Sequence, residues 1–462
     1  MDSRVAQFFE QIRGKDVTFI GLGVSHRLLV SLFAQKGAHV TIRDRRTREQ
    51  MGEDYDTLRA QGIDFILGEN YLDHLDGDMI FRTPGMYFYN EALQKARKEG
   101  KVVTSEMEVF FDLCPCRLIA VTGSDGKTTT TTLIGELLKA QGKRVHIGGN
   151  IGRPLLAHIE KMEPEDYAVV ELSSFQLLSM RESPDVAVVT NIAPNHLDVH
   201  GTMEEYIGAK RNILLHQNAF SAAVLGADSE TAMSLAPDVR GKLLTFSIHG
   251  LVERGAYMDE NGDIFFADNG NVIKVMNRDK IKIPGDHNVL NYLAAICATW
   301  GLVDMENILH TAETFGGVEH RIELVRTLDG VRWYNDSIAT SPTRTIAGLN
   351  AFDQKVILLA GGYDKKIPFL PLAPKIIEKV KALILMGVTA DKIEDTVRGF
   401  SGYDEKKLPI YRVGSMEEAV NKAREIAGEG DIVTLSPACA SFDMYPNFEA
   451  RGEHFKSLVH GL

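Results

Sequence analysis

Cysteine is scarce in this chain, with four in 462 residues. Cys114, Cys116, Cys297 and Cys439 would permit two disulfides, but a chain this long needs no staples to hold a core. The pair Cys114-Pro115-Cys116 invites a redox or metal reading. With no second pair to complete a four-ligand zinc site, ordinary reduced thiols are expected. Long apolar runs are also lacking. None approaches the ~18–20 residues needed to cross a bilayer, so no membrane span is expected. The opening Met1-Asp2-Ser3-Arg4 carries no basic stretch leading into an apolar core. A secretory leader is therefore not expected, and a cytoplasmic location is. Positive charge is in the minority: 51 Lys and Arg face 63 Asp and Glu, a formal net charge of −12. That balance argues against a protein built to coat nucleic acid. It leaves room for anionic small substrates, which are met by local cationic pockets.

What is present is average globular usage, 44% hydrophobic and 25% charged, which argues against a disordered or fibrous chain. At roughly 100–200 residues per domain, the length suggests about two to four domains. Short β-branched runs alternate with helical stretches, the grammar of parallel α/β units. They fall into three blocks. The first holds Val17-Thr18-Phe19-Ile20 and His39-Val40-Thr41-Ile42. The second holds Leu118-Ile119-Ala120-Val121, Tyr167-Ala168-Val169-Val170 and Val186-Ala187-Val188-Val189. The third holds Val356 to Ala360, Ala382 to Leu385 and Ile432 to Leu435. Three α/β domains are expected, at residues 1–113, 114–316 and 317–462. Pro115 before a strand marks the first boundary, and Gly316-Gly317 is a plausible hinge at the second.

The strongest single motif is Ala120-Val121-Thr122-Gly123-Ser124-Asp125-Gly126-Lys127-Thr128. It has the spacing of a phosphate-binding loop, with Ala120 in place of the usual first glycine. A strand pattern precedes it and a helix pattern follows. Gly123 and Gly126 would let backbone N–H groups curl round phosphate oxygens, and the helix N-terminus adds partial positive charge. Lys127 would reach the β and γ phosphates, and Thr128 would offer its hydroxyl to Mg²⁺. Such a loop needs a carboxylate to hold the metal. Glu171 ends the apolar run Tyr167 to Val170, where ligands bind in open α/β sheets. A solvated acid at a strand end is an equal reading.

After the next strand comes Asn191-Ile192-Ala193-Pro194-Asn195-His196-Leu197-Asp198-Val199-His200. His196, Asp198 and His200 suggest a metal cluster, while a Pro-Asn turn with a capping Asp is the plain structural alternative. Lys210, in a helical pattern, passes for a surface lysine on chemistry alone. Near the N-terminus, Gly21-Leu22-Gly23 follows a strand and Asp44 ends the next one 21 positions after Gly23. That resembles a dinucleotide fingerprint, with His26 where the third glycine would stand. An NAD-dependent oxidoreductase is the reading it would support, and the missing glycine and the intact phosphate loop argue against it.

Several motifs occur in a fixed order. They are Thr122 to Thr128, Gly148-Gly149-Asn150-Ile151-Gly152, Glu171-Leu172-Ser173-Ser174-Phe175-Gln176, Asn195-His196-Leu197-Asp198 and Gly285-Asp286-His287-Asn288. Glu319-His320-Arg321, Asn335-Asp336-Ser337, Gly361-Gly362 and Ser436-Pro437-Ala438-Cys439-Ala440-Ser441-Phe442-Asp443 follow. Together they resemble the Mur ligases, ATP-dependent amide-forming enzymes of peptidoglycan precursor synthesis, and most of all the D-glutamate-adding type. The resemblance covers nearly the whole chain. It implies a Rossmann-like N-terminal domain for the UDP part of the substrate, a P-loop ATPase-like central domain, and a Rossmann-like C-terminal domain for the incoming amino acid. The implied substrates are UDP-MurNAc-L-Ala, D-glutamate and ATP, handled by a monomer without nucleic acid or membrane partners.

The resemblance also implies residue roles. Lys127, Glu171, His196 and Lys210 would be catalytic. Lys210 would be carbamylated, its new carboxylate-like end helping Thr128, Glu171 and His196 to hold two Mg²⁺ ions. Gly123, Ser124, Asp125, Gly126, Lys127, Thr128 and Thr129 would cradle ATP, with Asn288 and Asn291 at adenine and Arg321 and Asp336 on phosphate and ribose. Gly23, Val24, Ser25, Asp44 and Thr83 would meet the UDP moiety. Asn150, Ser173 and Gln176 would hold the muramoyl part or order the phosphate loop. Thr340, Lys365, Ser441, Phe442 and Phe448 would form the D-glutamate pocket. One position departs from the pattern: Ile338 stands where a lysine is usual, leaving Lys365 alone, or Lys366 or Arg344, to supply positive charge. Other Mur ligases and the folylpolyglutamate synthases are the nearest rivals, and the Asn-Pro-Arg signature of the diaminopimelate- or lysine-adding type is absent. A scaffold that has lost catalysis is disfavoured by Lys127, Glu171, His196 and Lys210 standing together.

Overall fold

A computed structural model of the chain describes residues 3–195, 197–365 and 367–462, with the backbone alone at Val24, Leu197 and Asp198. Two expected residues, His196 and the alternative cation Lys366, lie outside the described residues, as does the side chain of Val24.

Three sheets organise the chain. The first has five parallel strands, with Asp16–Ile20 at the centre between His39–Asp44 and Met79–Arg82. The second has nine strands. Its parallel part places Arg117–Thr122 between Tyr167–Glu171 and Val186–Val189, with Val145–Gly149 beyond Tyr167–Glu171. Its far end is an antiparallel meander of Gly255–Met258, Asp263–Asp268 and Asn271–Asn277. The third has six strands, parallel except for the hairpin of Glu323–Leu328 with Val331–Asn335. In it Ile432–Leu435 lies between Val331–Asn335 and Val356–Ala360.

The strand sequences explain this burial. Val356–Ala360 is apolar throughout and buried throughout, as a central parallel strand covered on both faces must be. Val356, Leu358 and Ala360 join the core on one face, and Ile357 and Leu359 the core on the other. The antiparallel strand Asn271–Asn277 is exposed along its first four residues.

The chain falls into two compact units, Met1–Lys280 with Val289–Thr311, and Ile281–Asn288 with Ala312–Leu462. The first unit contains both the five-stranded and the nine-stranded sheet. One apolar core runs through it, joining Met107, Phe110 and Leu113 of the helix Glu106–Leu113 to Leu155, Leu156, Ile159 and Met162. Pro115 therefore marks a connector over a shared core. The expected hinge Gly316-Gly317 lies inside the second unit, which the chain re-enters at Ala312.

Candidate active site

The phosphate loop forms where the sequence places it. Strand Arg117–Thr122 ends at the loop and helix Lys127–Ala140 starts directly after it. Gly126 caps that helix at φ +78, and a Cβ there would lie 2.4 Å from Asn291 Oδ1, so only glycine fits. The loop is tied to the next strand end. Ser124 N donates to Asn191 O (2.8 Å), Asp125 N to Asn191 Oδ1 (3.1 Å), and Thr190 Oγ1 to Asp125 O (2.6 Å). The first-turn N–H groups of a helix have no intrahelical acceptor, which makes this end a natural anion seat. Lys127 Nζ folds back on the loop, donating to Gly123 O (3.0 Å) and Ser124 O (2.8 Å). Thr129 is half-buried on the same first turn, and Asp125 is exposed.

Glu171 is buried at the end of its strand and bonded on both oxygens. Thr128 Oγ1 donates to Oε2 (2.7 Å) and Asn150 Nδ2 to Oε1 (2.7 Å). Gly149 permits this approach: a Cβ there would meet Glu171 O at 2.2 Å. Three adjacent strand ends thus bring Thr128, Glu171 and Asn150 together, and the Thr128 hydroxyl and Glu171 carboxylate are hard oxygen ligands suited to a small divalent cation. Lys210 is no surface residue. It is 1% exposed, and its Nζ donates to Gly123 O (2.8 Å) and Thr122 Oγ1 (3.3 Å), above the ring of Tyr206. Burial and the nearby charge of Lys127 push its pKa down to about 7. His200 is buried, its Nε2 lies 2.9 Å from Ser174 Oγ, and it stacks on Phe175. Ser173 and Gln176 bond each other as a capping box that starts the short helix Ser174–Leu177.

At the C-terminal ends of the central strands of the five-stranded sheet, Gly23 caps the helix Val24–Gln35, and Ser25 and Thr83 are half-buried nearby in sequence to that turn and to the strand Met79–Arg82. A cavity of about 530 Å³ is lined by Leu22, Gly23 and Arg27 from the end of the central strand and by Gly152, Arg153 and His158 from the nine-stranded region. Asp44 is already engaged: Leu22 N, Arg46 N, Arg46 Nε and Arg46 Nη2 all donate to its carboxylate. Burial pushes its carboxyl up, and these bonds outweigh that, leaving it below the usual range. A ribose contact at Asp44 would require Arg46 to move. His26, in place of the third fingerprint glycine, is buried with Nδ1 2.8 Å from Gly21 O, and burial pushes its pKa down to about 4.

In the second unit the expected residues gather at three neighbouring strand ends. After Val331–Asn335, Asp336 is buried and accepts from Ser436 Oγ (2.7 Å) and Ile322 N (3.3 Å). Burial pushes its pKa up to about 7, against the nearby charge of Arg321. Asn335 bonds His320 Nδ1 (2.9 Å) and Glu323 Oε2 (3.1 Å), so two of the sequence signals touch. Lys365 Nζ donates to Thr340 Oγ1 (3.2 Å). Burial and the charge of Arg344 push Lys365 down, and Arg344 itself donates to Ile338 O (3.1 Å). Ser441 is buried, Phe442 is 64% exposed, and Phe448 opens the helix Phe448–Gly461, accepting at its carbonyl from Ser337 Oγ. Asn288 is buried with Nδ2 on Pro284 O (2.6 Å), and in the first unit Asn291 Oδ1 accepts from Thr130 Oγ1 (3.2 Å).

Residues 121–299 match the Mur ligase middle domain, and residues 320–439 the Mur ligase glutamate ligase domain. The chain is 49% identical over 459 residues to the UDP-N-acetylmuramoylalanine–D-glutamate ligase of Clostridium acetobutylicum, covering 99% of this chain and 98% of that one. It is also 49% identical over 468 residues to the enzyme of that name from Acetivibrio thermocellus, covering 100% of both. The chain belongs to the Mur ligase family. Among solved structures, the UDP-N-acetylmuramate-alanine ligase of Thermotoga maritima shares the Mur ligase fold at a TM-score of 0.58 and 20% identity, covering 97% of this chain and 99% of that one. A pseudomurein peptide ligase type C from Methanothermus fervidus does so at 0.53 and 18%, with the same coverage.

Three residues of this Mur ligase site escaped the sequence reading. Tyr206 donates or accepts at Ser124 Oγ (3.0 Å), and its i, i+4 spacing with Lys210 on the helix Met203–Leu215 was the available signal. Arg82 is buried and donates to Ser179 Oγ (2.7 Å) and Phe175 O (3.3 Å), joining the five-stranded sheet to the Glu171 segment. Arg451 is buried and donates to Ser337 Oγ and O, Cys439 O and Ala440 O. It clamps the loop of Asp336 to the loop of Ser441. Nothing local in sequence marks either arginine as buried.

Proposed function

We propose that this Mur ligase joins D-glutamate to UDP-N-acetylmuramoyl-L-alanine, consuming ATP by way of an acyl phosphate. Family membership over the full length makes the chain an ATP-dependent ligase of peptidoglycan precursor synthesis. The observation that carries the finer reading is the convergence of Lys127, Thr128, Glu171, Asn150 and Lys210 at adjacent strand ends.

In this reading three domains, 1–113, 114–316 and 317–462, take the UDP moiety, ATP and the amino acid, within a cytoplasmic monomer. The cavity at Gly23 and Gly152 has the size of a small-molecule site. Gly23, Val24, Ser25 and Thr83 border the nucleotide there, with Asp44 holding Arg46 in place. ATP lies on the helix end at Lys127, its phosphates on the loop 123–129. Lys127 exchanges the carbonyls of Gly123 and Ser124 for phosphate oxygens. Asn288, Asn291, Arg321 and Asp336 hold the rest of the nucleotide.

The first step brings the substrate carboxylate onto the γ-phosphorus, and ADP leaves. Both reactants are anionic, so the ammonium of Lys127 lowers their repulsion and holds the transferring group in line. The D-glutamate amine then attacks the acyl carbon, and phosphate leaves the tetrahedral intermediate. Thr128, Glu171 and His196, with carbamylated Lys210, are the residues that would hold Mg²⁺, and the hydroxyl and carboxylate oxygens of Thr128 and Glu171 fit it. When bound, Mg²⁺ supplies further positive charge to the phosphates. Lys210 as an ammonium would oppose a cation there. Its lowered pKa leaves part of the amine neutral near pH 7, the form that adds CO₂ to give the carbamate. Asn150, with the Ser173–Gln176 pair, supports the muramoyl part. Lys365 and Arg344 supply two positive charges for the dicarboxylate amino acid, replacing the lysine absent at Ile338, with Thr340, Ser441, Phe442 and Phe448 around it.

The test is phosphate release with UDP-MurNAc-L-Ala and ATP, and with D-glutamate, L-alanine, L-lysine or meso-diaminopimelate supplied in parallel. Turnover is expected with D-glutamate alone. Turnover that does not depend on D-glutamate would sink the assignment.

A further inference from the structure

The four cysteines are free thiols, and two of them meet. Cys114 Sγ and Cys116 Sγ are 3.6 Å apart, close enough to share a hydrogen bond. Cys297 and Cys439 are each buried beside non-thiol partners, Ala256 N and Thr389 Oγ1. The close pair sits on the connector from the helix Glu106–Leu113 to the strand Arg117–Thr122. Cys114 is the C-cap of that helix, with its N–H on Phe110 O and its carbonyl accepting from Arg4. Both backbone groups of Cys114 are therefore held, and Pro115 between the cysteines fixes its own φ. A disulfide needs the sulfurs at about 2.05 Å, a further approach of roughly 1.5 Å that rotation of the two side chains can share.

We propose that Cys114 and Cys116 are a reversible dithiol–disulfide couple, an oxidation site on the connector between the two sheets of the first unit. The oxidant is a small disulfide such as glutathione disulfide. Cys114 is half-buried and is the sulfur that meets it, whereas Cys116 is 7% exposed. Cys114 gives up its proton as its sulfur attacks one sulfur of glutathione disulfide, giving a mixed disulfide and releasing one glutathione thiolate, which takes up that proton. The Cys116 thiolate then attacks Cys114 Sγ, forming the internal disulfide and releasing the second glutathione. Two protons leave the cysteines and two glutathione thiols form, so two electrons pass from protein to oxidant. The shared hydrogen bond of the reduced pair already holds the resolving sulfur beside Cys114 Sγ, the atom it must attack.

The experiment equilibrates the intact chain with glutathione disulfide, traps free thiols by alkylation and weighs the protein. The reduced chain is expected to take four alkyl groups. The oxidised chain is expected to take two, to carry no glutathione, and to weigh two hydrogens less before alkylation. Peptide mapping should place the link at Cys114 and Cys116, and dithiothreitol should reverse it. Cys116→Ser should instead keep glutathione on Cys114, because the resolving sulfur is gone. A Cys297→Ser, Cys439→Ser variant should still close the pair. Phenylarsine oxide, which bridges two close thiols with loss of water, should bind the parent chain at one equivalent and neither single Ser variant. Four alkylatable thiols after oxidation, or glutathione retained equally by parent and Cys116→Ser, would overturn the proposal.

Discussion

Lys210 shows how much one residue's meaning depends on where the chain puts it. In sequence it is a lysine in a helical run. In the structure it lies under the phosphate loop with Nζ on Gly123 O, 1% exposed. A fully charged lysine at such a site is costly, and the downward pKa shift reflects that cost. If a carbamate supplies the carboxylate-like group, Lys210→Ala should abolish turnover while the chain stays folded, and small carboxylic acids should partly restore it. Full activity in the Ala variant would refute the role. Lys127 is the complementary case, a cation already held on loop carbonyls by two hydrogen bonds. Lys127→Ala should lower kcat by about 10²–10³, the usual cost of removing one transition-state charge donor. An unchanged far-ultraviolet circular dichroism spectrum would separate this from misfolding, and a loss below tenfold would contradict the role.

At the scale of elements, the helix Glu106–Leu113 is the piece that fastens the five-stranded sheet to the nine-stranded region. Its first residue, Glu106, is buried and accepts from Leu156 N (3.0 Å), at the start of the short helical turn Leu156–Lys161. Burial pushes its pKa from 4.5 up to about 7, with the backbone N–H groups of Leu156 and Leu155 pulling the other way. The folded chain therefore binds more proton than the unfolded chain between those two values. Stability should fall as pH rises from about 4.5 to about 7 and level off above. Glu106→Gln removes the titrating group, so urea midpoints should flatten across that window, with the variant gaining about 1–3 kcal/mol on the parent from pH 5 to pH 8. Equal slopes in the two proteins would exclude Glu106 as the source. This contact also explains what was legible in the sequence and what was not. Strands such as Val356–Ala360 announce themselves by unbroken apolar runs, and the phosphate loop by glycine spacing. Arg82, Arg451 and Glu106 are charged residues in ordinary contexts, and only tertiary packing buries them. The partners of Asp44 were hidden for the same reason: Arg46 lies two residues away in sequence, but its return to the carboxylate needs the turn to form.

Over the whole molecule, composition indicated a charge of −12 and nothing about where the cations stand. In the proposed reaction every substrate is anionic, so Lys127, Arg321 and Lys365 carry weight out of proportion to their number. They come from both compact units: Lys127 from the first, Arg321 and Lys365 from the second. A reaction that draws on both must bring them onto one set of ligands and keep water from the acyl phosphate. The expected pivot at Gly316-Gly317 now lies inside the second unit, and the chain passes between units at Lys280–Ile281, Asn288–Val289 and Thr311–Ala312. If the proposed reaction closes one unit on the other, these three connectors are where the chain would bend, and Gly316-Gly317 would not be. Small-angle scattering should therefore show a smaller radius of gyration with ATP and UDP-MurNAc-L-Ala together than with neither. Replacing Gly316 by Ala should leave that change intact, because Gly316 lies within the second unit and away from the three crossings. Identical profiles with and without both ligands would rule out closure, and a change abolished by Gly316→Ala would return the pivot to the glycine pair.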